Sequence, residues 1–157
     1  MVWGLTQSDP DNLLLASSQT VEGQTTNQLT ELLAFIHVYD SEFKGCIERY
    51  KCAKRYHEPN LLERRQDCEI YIKDLEQRLS KHAYIFGESE SLVDIALLPF
   101  IRQFAKIERQ WYVQADYPNV KRWLNAYLQS AMFNKVMTQN PIWEEGGYGV
   151  EFCGGNL

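Results

Sequence analysis

At 157 residues the chain has room for about one domain, large enough to bury roughly 68–70% of the surface its unfolded form exposes. An apolar content of 45% with 13% aromatics is a globular rather than a disordered composition, and a net charge of −5 argues against a general nucleic-acid role. No run approaches the roughly 18 apolar residues of a membrane span, and Met1 to Gln7 has neither the basic start nor the apolar core of a secretory signal, so the expected location is the cytoplasm.

Residues 1 to 7 read as the end of a helix, closed by the turn Ser8-Asp9-Pro10-Asp11. A polar stretch from Ser17 to Asn27 follows the Leu13-Leu14-Leu15 run and reads as a surface loop with part of the next helix's cap. Helical spacing then sets in at Leu29, Leu32, Leu33, Ile36, Tyr39, Phe43, Ile47 and Tyr50. This predicts one long helix, bent near Asp40-Ser41. Pro59 and Asn60 punctuate, and Leu61, Cys68, Tyr71, Ile72, Leu75 and Leu79 mark a second long helix, antiparallel to the first.

A central helix is expected from Leu92 to Ile107. Ser91 and Asp94 stand three apart immediately before its apolar run, the arrangement of a reciprocal cap. The Ser91 hydroxyl can accept from the Asp94 N–H, and the Asp94 carboxylate can reach back to the Ser91 N–H. Leu92, Val93, Ile95, Ala96, Leu97, Leu98, Phe100, Ile101, Phe104 and Ala105 cover nearly every side, which predicts a helix buried all round. Pro99 removes one backbone bond and crowds the Ile95 carbonyl, so a kink is expected. Val120, Trp123, Leu124, Tyr127 and Leu128 make the next helix, and Phe133, Val136 and Met137 a short last one. Residues 146–157 read as a tail. No strand candidate is present, and the class is all-α.

Chemistry-bearing residues are sparse. Cys46, Cys52, Cys68 and Cys153 have no C-x-x-C spacing and read as free thiols, some packed as small hydrophobes. A zinc set of Cys52, His57 and Cys68 matches no standard spacing, so no metal is expected. His37 and His82 read as surface or satisfied core residues. Lys44, Arg49, Lys51, Lys54 and Arg55 form a basic cluster interleaved with Glu42 and Glu48, better explained by ion pairs three or four apart than by an anion or acidic-partner site. For Ser91 and Asp94 a structural role outweighs catalysis.

Phe86-Gly87 followed by Ser91-Leu92-Val93-Asp94-Ile95-Ala96-Leu97 resembles the signature of the C-terminal helical domain of glutathione S-transferases, with Val93 where that family usually has Ala. Glu90 stands where the family often places an apolar residue that staples against Ile95. Asp40-Ser41-Glu42-Phe43-Lys44 with Ile47-Glu48-Arg49-Tyr50-Lys51 is similar to a block of a bacterial branch of the family. So are Tyr117-Pro118 with Trp123, Asn140-Pro141-Ile142-Trp143-Glu144-Glu145-Gly146, and the opening Trp3 to Asp11, which resembles the segment after the interdomain linker. The resemblance implies a single glutathione transferase C-terminal-type helical bundle over 1–157, with 1–11 as the post-linker segment.

In that family an N-terminal thioredoxin-like domain binds glutathione and carries the Ser, Tyr or Cys that activates its thiol. The sequence contains no βαβ pattern or C-x-x-C that reads as such a domain, so no catalytic residue and no cofactor is expected within the chain, and glutathione would be the co-substrate of a complete two-domain enzyme. Trp3, Phe104, Trp111, Tyr112, Trp143 and Tyr148 are candidates for a hydrophobic-substrate or interdomain face, against the competing account that they are core packing. The implied partners are a second copy or a thioredoxin-like domain. Three readings stay open: the helical portion of a transferase, a non-catalytic protein-interaction module, or a hydrophobic-ligand carrier.

Overall fold

The computed structural model describes residues 24–138. The readings placed on 1–23 and on 139–157, including Trp3, Trp143, Tyr148, Cys153 and the tail, lie outside the described residues. Within them the chain is helical, and its one β-type pairing is an isolated bridge between Tyr84 and Gly87. No described helix is long and apolar enough to cross a membrane.

α1 (Gln24–Val38) runs through a π-helical turn, Tyr39–Phe43, directly into α2 (Lys44–Arg55). Gln24 to Asn27 are therefore helical, not part of a surface loop. At the expected bend the structure inserts one wide i→i+5 turn. This turn brings both Tyr39 and Phe43 inward, at 2% and 0% exposure. α2 ends in a left-handed residue, His57 (φ 53°), and the Glu58 N–H reaches back to the Ala53 carbonyl at 3.0 Å, the six-to-one bond of a Schellman closure.

α3 (Leu61–Leu79) starts beyond Pro59 and packs along α2, burying Cys68, Ile72, Leu75 and Leu79. α4 (Leu92–Ile107) packs against α1, α2 and α6 and runs continuously through Pro99. It is not buried all round. Val93, Leu97, Leu98, Ile101, Phe104 and Ala105 face the core, while Leu92, Ile95, Ala96 and Phe100 are half-buried and Pro99 is exposed. A proline missing its N–H sits most easily on that outer side, where the carbonyl it frees can meet solvent or another surface.

Glu108 (φ −128°, ψ 74°) breaks the helix, and α5 (Arg109–Gln114) follows, a turn and a half for which the sequence gives no periodic signal. α6 (Pro118–Leu128) opens with proline at its first position, where the missing N–H costs nothing. Its next two amides are capped from another helix: Glu76 of α3 accepts from Asn119 N–H at 3.1 Å and Val120 N–H at 2.9 Å. α7 (Ala131–Val136) is capped by Ser130, which accepts from Phe133 N–H at 3.1 Å. Only Phe133 of its expected apolar set packs inward. Val136 and Met137 are exposed.

Candidate functional site

A buried carboxylate that accepts four hydrogen bonds lies at the start of α4. Ser91, extended at φ −128° and ψ 168°, forms the capping box with Asp94. Asp94 Oδ2 accepts the Ser91 N–H at 3.0 Å and the Ser91 hydroxyl at 2.8 Å. Its other oxygen, Oδ1, accepts the Ile85 N–H at 3.1 Å and the Trp123 indole N–H at 3.0 Å. Both residues are fully buried, so each donor replaces a water that the carboxylate has lost. The cap legible in the sequence is thus half of a larger device that ties the Tyr84–Gly87 turn and α6 to α4. Glu90, in the place of an apolar staple, accepts the Tyr127 hydroxyl of α6 at 2.5 Å.

The aromatic candidates that fall in the described region come together. Phe104 is 1% exposed, with its ring centroid 6.0 Å from Trp111 and 6.1 Å from Tyr112, both edge-on. Phe104 and Tyr112 are core, and neither presents an open face. Trp111 is half-buried beneath the Arg65 guanidinium, 4.3 Å from its centroid. Arg65 leads to a second hub that the sequence reading missed. Glu108 accepts from the Tyr50 hydroxyl at 2.6 Å, Arg65 at 3.0 Å and Lys54 at 3.2 Å. Burial pushes its carboxyl upward, but the bonds from Tyr50, Lys54 and Arg65 outweigh it and hold the group below its usual range.

Residues 65–126 match the family model of the glutathione S-transferase C-terminal domain. That segment contains the whole Asp94 hub and, of the second hub, Glu108 and Arg65, whereas Tyr50 and Lys54 precede it. The likeness of residues 65–126 is to the helical, C-terminal part of glutathione S-transferases. Among solved structures the chain is similar to a glutathione S-transferase from Actinobacillus pleuropneumoniae, with a TM-score of 0.60 and 17% identity, over 83% of this chain and 56% of that one. The chain thus spans a little over half the length of that transferase. No curated protein matches the sequence.

Several of the described hydroxyls and thiols that could act on a thiol or as nucleophiles are already engaged or buried, although the buried Tyr112 hydroxyl has no hydrogen-bond partner and Cys52 is exposed. Tyr50, Tyr71, Tyr117 and Tyr127 donate to Glu108, Glu42, Glu69 and Glu90. Burial and these carboxylates raise each phenol, Tyr71 to about 12. Ser41, Ser80 and Ser130 donate to backbone carbonyls three or four residues earlier in the chain. Burial pushes the Cys68 thiol to about 12 and raises Cys46, despite the Arg49 guanidinium 3.1 Å from its sulfur. Such thiols are poor nucleophiles.

The structure does not assemble the zinc set. Cys68 is in the core, Cys52 is exposed on α2, and among the described residues no group of three or more His, Cys, Asp or Glu side chains could hold a metal. The basic cluster is dispersed into separate pairs, four of them local: Lys44 with Asp40 at 3.5 Å, Lys51 with Glu48 at 2.9 Å, Arg49 with Cys46 and Arg55 over Tyr56, while Lys54 reaches the distant Glu108. His37 is exposed, and so is His82, which pairs with Glu88 at 3.0 Å.

Two of the surfaces that the described residues leave open lie beside Trp111 and along α4. One is a groove of about 590 Å³ lined by Glu69, Lys73, Glu76, Trp111, Asp116 and Tyr117, among others. Its glutamates are already used, Glu69 by Tyr117 and Glu76 by the start of α6. The other is the outer stripe of α4, Leu92, Ile95, Ala96, Pro99 and Phe100, apolar and incompletely covered by the described residues.

Proposed function

We propose that this chain provides the helical half of a glutathione transferase active site, with the outer stripe of α4 facing the hydrophobic co-substrate and a thioredoxin-like domain that supplies the thiol chemistry. The observation that carries this reading is the stripe itself: five apolar residues, Pro99 the most exposed, on a helix that lies wholly within the residues matching the family model. A contiguous apolar stripe that is only partly covered is the kind of surface that interaction and ligand sites use. The commitment of Tyr50, Tyr71, Tyr117 and Tyr127 to glutamates, and the raised thiols of Cys46 and Cys68, support placing thiolate stabilisation outside the described residues. Glutathione is then the co-substrate of the assembled enzyme and not a ligand of this domain. The protein is read as cytoplasmic, and as covering the stripe through a thioredoxin-like domain or a second copy.

The test is a titration of the purified chain, followed by amide chemical shifts, first with a chlorodinitrobenzene-type electrophile and then with glutathione, alongside a steady-state conjugation assay. Shifts confined to α4 around Ile95 and Phe100 with the electrophile, none with glutathione, and no turnover above background are expected. Turnover by the purified chain, or glutathione shifts within residues 24–138, would overturn the assignment. Absence of any electrophile response at α4, together with capture of the stripe by a second protein, would favour the non-catalytic interaction module.

A further inference from the structure

We draw no further inference here: the strongest candidate, the groove of about 410 Å³ over Arg78 that is lined by Glu31, Asp74, Lys81, His82 and Phe86, has its guanidinium already held by Asp74 at 3.0 Å and in contact with the Phe35 and Phe86 rings, and nothing in the structure points to a ligand there.

Discussion

The indole N–H of Trp123 donates to Asp94 Oδ1 at 3.0 Å, joining α6 to the cap of α4 across twenty-nine residues of sequence. Ser91 supplies two further bonds and Ile85 a fourth, so the carboxylate is saturated without a cation. Replacing Asp94 by Ala strands three buried N–H donors at once. Each stranded donor costs about 1–3 kcal/mol, and a loss of roughly 3 kcal/mol or more is expected for Asp94→Ala. Trp123→Phe removes one charge-assisted bond and some volume, for about 1.5–3 kcal/mol. Glu48→Ala, on an exposed helical pair, is expected to change stability by less than about 0.5 kcal/mol. Urea midpoints of the three variants, read by far-ultraviolet circular dichroism, check the order; coincident midpoints would contradict a central role for this hub.

Glu108 makes the fold sensitive to acid. Its folded-state pKa is depressed, so the stabilisation is fully present above the unfolded glutamate value of about 4.3 and is lost as pH falls through the lower folded value. Glu108→Gln keeps the shape but weakens the bonds to Tyr50, Arg65 and Lys54, with an expected cost of about 1–3 kcal/mol at neutral pH. The gap between wild type and variant should close as both are titrated toward pH 3. A gap that stays constant with pH would mean that packing, not charge, is what Glu108 contributes.

At the alkaline end the sign reverses. Tyr71 ionises at about 12 in the fold against about 10 in an unfolded chain. The stabilisation tied to its neutral hydroxyl is present below pH 10 and disappears as pH rises through 12. Tyr50 and Tyr127 are pushed up in the same direction by burial and by their glutamates. Phenolate absorbance should therefore rise late and together with loss of helical signal. A full complement of phenolate at pH 10–11 with the helices intact would show that these hydroxyls are not paired as described.

The thiols should differ in reactivity by location. Cys52 is exposed, whereas Cys46 and Cys68 are 8% and 0% exposed with raised pKa values. Brief treatment with iodoacetamide at neutral pH, followed by peptide mass spectrometry, should modify Cys52 and spare Cys46 and Cys68 until denaturant is added. Early labelling of Cys68 would show that the α2–α3 interface opens readily.

The sequence by itself determined what depends on neighbours along the chain: the periods of α1 to α4 and α6, the Ser91–Asp94 cap and the break at Pro59. Each is a matter of residues a few positions apart, where backbone geometry alone brings side chains together. It also anticipated an irregularity near Asp40-Ser41, though not that it would be a π turn. Only the tertiary structure decided what the polar groups do. Asp94 looks like a cap in sequence and is also the acceptor for Trp123; Glu108 looks like a surface glutamate and is the meeting point of Tyr50, Lys54 and Arg65. Those partners lie 29 to 58 residues away, and no local pattern encodes them. The exposed side of α4 escaped the sequence reading for the same reason: its apolar residues are spread around the helix, and which of them face the core depends on where the other helices are packed.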